Sequence, residues 1–346
     1  MISLIIPTTS KNQDYTDNIV SNIKSIYPDT SKVEIILEQN DNVTLGVNYN
    51  NAVARAVGEK IILLHNDMVI PKGFIEQMDK HIQPGRITTY TRIEPPIFND
   101  EYPGKVILDC GSTLDTFHKD IFDLYSPNFD LIDGGSQLFF GCMRTDYIGI
   151  DGYTFKMFCE DDDLHKRYKL AGFEHKVSSA HVYHFVSKTS RTTDDYQQIE
   201  IASNRNYIRK WGTKSNAPKY NIAFQVTNCN INLLQTLEPW CDRIYIDDAM
   251  QVLTDSYVET EQVNTRFDLT KRVFCVGYND PAGENDIVVA IDGKNFTQTD
   301  FQYIQQLAEI LQDSGQPGTF RLGNCQITIA SLIARESELI ICNRGI

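Results

Sequence analysis

The run Lys60-Ile61-Ile62-Leu63-Leu64, followed at once by His65-Asn66-Asp67, constrains this chain more than any other stretch. Four apolar residues without polar alternation leave no face for water, so they predict a strand buried on both sides, as at the centre of a parallel sheet. The polar tip then stands at the strand's carboxyl end, where open α/β sheets bind their ligands. Asp67 is placed for chemistry there, although a surface turn would carry the same residue.

The segments before it alternate. Ser3 to Ile6 and Val33 to Leu37 read as strands, Tyr15 to Ile26 and Gly46 to Val57 as amphipathic helices, and Lys60 to Leu64 as the third strand. A βαβαβ order implies a parallel sheet with right-handed crossovers. Pro71 is well placed to start a further helix. Between residues 86 and 133, Pro95-Pro96 and Pro103-Gly104 suggest long loops around short strands. Ser136 to Arg144 predicts a strand, Glu174 to Tyr183 another that ends in His184, and Asp194 to Trp211 a long helix.

Ser215-Asn216-Ala217-Pro218 breaks the pattern and reads as a linker between domains 1–215 and 219–346. Beyond it a second α/β programme restarts, with strands at Tyr220 to Val226, Arg243 to Ile246, Arg272 to Val276, Asp286 to Ile291 and Glu338 to Cys342, and a helix from Gln298 to Leu311. This smaller domain shows no glycine-rich phosphate loop, and no internal repeat is evident along the chain.

With 346 residues, 41% of them hydrophobic, the chain can fill two cores. Its 32 basic against 46 acidic residues give a formal charge of −14, which repels a phosphate backbone and argues against nucleic acid as a partner. A diphosphate held through a cation is compatible with that charge. No apolar run approaches the roughly 18 residues needed to cross a bilayer. The N-terminus reads as a strand rather than a signal peptide. Eight scattered cysteines without a C-x-x-C pair suit reduced thiols in a cytoplasmic protein.

The stretch Cys159-Glu160-Asp161-Asp162-Asp163-Leu164, continuing to Gly172, concentrates four acids at the start of a predicted helix. Acids in a first turn are favoured by the helix dipole, and Gly172 suits an αL cap, so packing alone can explain the motif. A second acidic site at Asp67, on a different element, is what gives it chemical meaning.

Taken in order, Ser3-Leu4-Ile5-Ile6-Pro7-Thr8, Leu45-Gly46 with Asn50-Asn51-Ala52, Leu63-Leu64-His65-Asn66-Asp67, Gly149-Ile150-Asp151-Gly152-Tyr153, Glu160-Asp161-Asp162-Asp163-Leu164 with Arg167, His184-Phe185-Val186-Ser187 and Lys210-Trp211-Gly212 carry a likeness. Residues 1 to about 215 resemble family 2 glycosyltransferases of the GT-A fold, including rhamnosyltransferase-like members. The resemblance implies a nucleotide-sugar donor (UDP-, dTDP- or GDP-linked), a glycan or other hydroxyl acceptor, and a Mn²⁺ or Mg²⁺ ion. It implies that Asp67, in a D-x-D-like motif whose first acid is replaced by His65, binds the cation together with His184. Pro7, Thr8, Glu38, Asn66 and Lys188 are then donor-binding, with Lys188 in a Ser/Thr-rich loop able to close over the diphosphate.

Asp161 is expected as the base that accepts the acceptor's proton, with Glu160 orienting the acceptor, Asp163 supporting the helix or capping it, and Asp162 on the surface. A single displacement with a single base inverts the anomeric carbon. The missing first acid leaves a second reading open: a catalytically degenerate GT-A scaffold that binds a sugar or a partner. A nucleotidyltransferase would show a glycine-rich, arginine-containing loop after the first strand, which Pro7-Thr8-Thr9-Ser10-Lys11 lacks.

Overall fold

The first strands form as their apolar runs require. In the structure, a computed structural model, all residues are described except 30, 101, 136–138, 156–157, 187–195, 248–249, 277–284 and 341–346. β1 (Ile2–Thr8), α1 (Gln13–Ile26), β2 (Val33–Gln39), α2 (Leu45–Arg55) and β3 (Lys60–Leu63) follow the predicted alternation. β1 lies between β2 and β3 and runs parallel to both. α1 buries Tyr15, Ile19 and Ile23, spaced by four, and Ile19 and Ile23 pack into the cluster that holds Leu4, Ile6, Ile62 and Leu64. Each such fully buried aliphatic side chain contributes about 1.5–3 kcal/mol over an exposed one.

From there the sheet turns mixed, correcting the purely parallel expectation. After β4 (Met68–Val69) and α3 (Phe74–His81), which begins three residues beyond Pro71, comes β5 (Arg86–Glu94), a strand the composition disguised as loop. β6 (Lys105–Ile107), α4 (Lys119–Leu124), β7 (Leu131–Asp133), β8 (Phe140–Met143), α5 (Arg144–Gly149), α6 (Glu160–Leu170) and β9 (Glu174–His184) follow. The sheet order is β2-β1-β3-β8-β5-β9-β4. β8 is antiparallel to both β3 and β5, whereas β5 and β9 run parallel.

Two pairings at the far edge position the site. β4 pairs antiparallel with β9 so that Met68 faces His184, and the Phe185 amide donates to the Asp67 carbonyl at 3.0 Å. β5 reaches Ile93↔Tyr183 only after a register shift between Tyr90 and Thr91, which advances β9 by two residues and brings Glu94 level with His184.

The chain divides into compact units Met1–Ile199 and Glu200–Ile346, a boundary inside α7 (Tyr196–Trp211) rather than at the predicted linker. Arg209 and Arg272 both donate to the fully buried Glu238, and Arg209 and Arg205 also reach Glu261, tying the α7 residues into the second unit. Trp211 is fully buried as packing.

The second unit contains β10 (Ile222–Thr227), α8 (Ile231–Leu237), β11 (Arg243–Asp247), α9 (Gln251–Glu261), β12 (Val273–Val276), β13 (Ile287–Asp292), α10 (Gln298–Gln305), α11 (Leu307–Ser314), β14 (Gly318–Leu322) and β15 (Cys325–Ile329). The single helix expected over Gln298–Leu311 is thus broken at Gln306. The strand expected at Glu338–Cys342 is a 3-10 turn over Glu336–Leu339, with its last two residues outside the described ones.

Although the sequence shows no repeat, the second sheet repeats part of the first. Its strands β11-β10-β13-β15-β14 have the order, the directions and the chain sequence of β2-β1-β3-β8-β5. Among the described residues no helix is long and apolar enough to cross a membrane.

Candidate active site

The carboxyl ends of β1, β2 and β3 form one rim. Pro7 and Thr8 lie beside Glu38 and Gln39, and Asp67 follows β3 by four residues. Glu38 is ion-paired with Arg55 on α2. The Asn66 amide donates to Thr16 Oγ1 on α1 at 3.1 Å and is buried there, so its side chain braces the rim against α1.

Asp67, His184 and His65 converge. One ligand atom from each lies within 4.8 Å of the others, and Asp67 Oδ1 and His65 Nε2 are buried without a hydrogen bond. Orphaned buried polar atoms are costly unless something fills them. His184 Nε2 is 3.4 Å from Asp67 Oδ1, and its Nδ1 hydrogen-bonds Glu94 Oε1 at 2.8 Å.

Burial would depress the His184 pKa, but the Asp67 and Glu94 carboxylates outweigh it and raise it to about 9. Burial would raise that of Asp67, yet His184 and His65 hold it down at about 2. His65, mainly through burial, is lowered to about 4 and stays neutral, with a lone pair to offer. One carboxylate and two imidazoles fit Mn²⁺ or Mg²⁺ with oxygens supplied by a ligand, Mn²⁺ tolerating the nitrogens better. Binding would displace the His184 proton.

A second constellation sits at the start of α6. Tyr153 donates its hydroxyl to Asp161 Oδ1 at 3.1 Å. Burial, then the neighbouring Glu160, pushes the Asp161 carboxyl well above the usual range, and burial raises Glu160 to about 7. Glu160 Oε2 is buried without a hydrogen bond.

Asp163 is turned away from this pair. It accepts from Arg167 Nε at 2.8 Å and Thr154 Oγ1 at 2.9 Å, and Arg167 donates onward to the Ile150 and Gly152 carbonyls. It therefore supports the loop before the helix through an ion pair, and the N-cap position, Cys159, has no side-chain cap hydrogen bond. Asp162 is exposed.

The loop carrying Tyr153 is clamped from α2. Asn50 accepts from the Tyr153 amide at 3.0 Å and the Tyr147 hydroxyl at 2.8 Å, and donates to the Tyr153 carbonyl at 2.7 Å. Gly46 has no side chain because a Cβ there would lie 2.8 Å from that of Tyr153, and Gly152 takes a φ of 54° against Asn50. These contacts explain why Gly46, Asn50, Gly152 and Tyr153 occur together. The Tyr153 ring stacks on Tyr49 at 5.4 Å, and Tyr49 lies 6.4 Å from His65.

Sequence reasoning missed Glu94, Arg92 and the role of Tyr153. Arg92 is 2% exposed, lies 4.2 Å over the Phe139 ring and 3.3 Å from Glu94, and electrostatically lowers the Asp161 pKa against the raising effect of burial. Two charges at alternate positions of a threonine-rich run were the available signal. Lys188 lies outside the described residues.

The mixed α/β sheet with its polar rim at the strand ends, and the acidic helix beside it, agree with the expected Rossmann-like glycosyltransferase fold. Residues 10–135 match the family model described as glycosyl transferase family 2. No curated protein matches the sequence. Among solved structures, TarS of S. aureus is similar at 13% identity and a TM-score of 0.41, covering 62% of this chain and 40% of that one. A TarS fragment, residues 1–349, gives 13% and 0.38 over 62% of this chain and 66% of that one. GalNAc-T7, solved with UDP, GalNAc and Mn²⁺, gives 10% and 0.40 over 60% and 48%. The chain thus spans about two fifths to two thirds of the length of these proteins.

Proposed function

We propose that the protein is a metal-dependent, inverting glycosyltransferase that moves a sugar from a nucleoside-diphosphate donor to an acceptor hydroxyl. The observation that carries this reading is the pairing of the Asp67–His184–His65 cluster, whose ligand atoms lie within 4.8 Å of one another, with a carboxylate of raised pKa, Asp161. Pro7, Thr8 and Glu38 line the rim along which the nucleoside would lie. When bound at Asp67, His184 and His65, a Mn²⁺ or Mg²⁺ ion supplies the positive charge that makes a diphosphate a good leaving group.

The protein's own residues do the rest. Asp161 accepts the acceptor's proton as the hydroxyl attacks, and burial beside Glu160 makes it a stronger base than a solvated carboxylate. Glu160, beside it, orients the acceptor, and its charge adds to the rise in the Asp161 pKa. Tyr153 fixes the Asp161 carboxylate in place. One base and one displacement give inversion at a carbon with oxocarbenium character. Among the described residues, Cys110, Cys142, Cys229, Cys241, Cys275 and Cys325 are unbridged, which suits a cytoplasmic setting.

The missing first acid of the D-x-D-like motif favours the degenerate-scaffold reading, but His65 offers a ligand atom in that position. Asp161→Asn separates the two. Loss of transfer or donor hydrolysis with retained nucleotide binding supports the enzyme. A wild-type protein that binds nucleotide sugar yet never turns it over supports the scaffold.

A further inference from the structure

We propose that Glu94 is a positioning residue of the cation site, holding the His184 ring through Nδ1 so that Nε2 is presented beside Asp67. The inference rests on the cation-dependent reading above and deepens it.

Strand pairing makes the contact. With Ile93 opposite Tyr183 on parallel β5 and β9, Glu94 and His184 are the next neighbours, and they meet at 2.8 Å with 5% and 7% exposure. An imidazole that gives its Nδ1–H to a carboxylate has one tautomer left, with the Nε2 lone pair outward and its basicity raised. Nε2 here faces Asp67 Oδ1 at 3.4 Å.

Glu94 is itself held in place. Arg92 Nε lies 3.3 Å from its Oε1 and Lys105 Nζ 3.6 Å from its Oε2, with all three side chains almost fully buried. Arg92 stacks over Phe139, whose ring lies 5.1 Å from that of His184 and 4.7 Å from that of His65. Phe139 thus packs against both imidazoles while the Arg92–Glu94 pair fixes the rotation of one. Because Oε1 is taken by His184 and Oε2 faces Lys105, Glu94 acts on the site through the ring and not as a ligand.

The test is a Mn²⁺ titration of the full chain followed by electron paramagnetic resonance, with and without UDP, and with pulsed detection of histidine nitrogen coupling. Glu94→Gln is expected to weaken Mn²⁺ binding roughly 10- to 100-fold and to diminish the nitrogen coupling. In a His184→Ala background the same substitution should have no further effect, whereas a merely structural role would weaken both backgrounds alike. Glu94→Asp keeps the charge facing Arg92 and Lys105 but shortens the reach to Nδ1, and carries the same expectation if Glu94→Gln fails to fold. Unchanged affinity and nitrogen coupling in these variants, with a wild type that binds, overturns the role of Glu94 alone. A wild type that binds no Mn²⁺ under either condition overturns the cation reading and this inference with it.

Discussion

The Tyr153 hydroxyl donates to Asp161 Oδ1 at 3.1 Å while the Tyr153 backbone is held at both its amide and its carbonyl by Asn50. A residue of α2, more than a hundred positions earlier in the chain, thereby sets the orientation of the proposed base. Tyr153→Phe keeps the ring on Tyr49 and removes only the hydroxyl. A hydrogen bond to a charged group contributes about 1.5–3 kcal/mol, so kcat should fall roughly 10- to 100-fold. That bond also lowers the Asp161 pKa, so its loss should move the alkaline-rising limb of the pH–rate profile upward. An unchanged limb would remove Asp161 from the role of base.

Glu160 gives a pH dependence of stability. Its folded pKa of about 7 exceeds the ordinary glutamate value of 4.5, chiefly through burial, with Asp162 adding to the rise. A carboxyl raised on folding contributes stability below its unfolded pKa and loses it as pH climbs through the folded value. The protein should therefore lose stability between about pH 4.5 and pH 7 from this group, and Asp161 acts in the same sense. Arg92 and Tyr153 oppose the shift of Asp161. Glu160→Gln should raise the melting temperature more at pH 8 than at pH 5; equal shifts at both values would contradict the burial argument.

Asp163 and Arg167 form an ion pair in which both side chains are fully buried. Removing one partner of such a pair costs about 3–5 kcal/mol, because the other charge is left uncompensated. Arg167→Ala should show that loss in urea unfolding and, by releasing the Ile150 and Gly152 carbonyls, loosen the loop that carries Tyr153. A cost below about 1 kcal/mol, the range of exposed pairs, would mean the pair is not buried in solution.

His65 stands where the D-x-D-like pattern has its first acid. His65→Asp restores an oxygen donor suited to Mn²⁺ and should retain cation binding, whereas His65→Ala should weaken it by roughly tenfold or more. Mn²⁺ affinity measured on both variants checks this; equal, undiminished affinity in His65→Ala would exclude the imidazole as a donor.

Much of the site was legible because its parts lie at element ends. Apolar runs in β1 and β3 fixed where Pro7, Thr8 and Asp67 would stand, and the acidic opening of α6 marked Glu160 and Asp161. β5 escaped because Arg-Ile-Thr-Thr-Tyr-Thr-Arg-Ile-Glu reads as a polar loop, yet every residue from Ile87 to Glu94 is buried. Its Arg92 and Glu94 tolerate burial because they meet each other and Glu94 meets His184, a contact ninety residues apart that no local pattern encodes. The β14–β15 hairpin has its signal in Gly323-Asn324 between alternating residues. The repeated strand plan lives in topology, not in residue identity, so it surfaced only in three dimensions.

The most direct measurement is calorimetric titration with UDP, GDP and dTDP, each with and without Mn²⁺, on the wild type and on Asp67→Asn. The proposed function predicts that one nucleotide binds in a Mn²⁺-dependent manner and that the substitution abolishes the dependence. Binding that ignores Mn²⁺ and survives in Asp67→Asn, or no binding of any nucleotide, would contradict it.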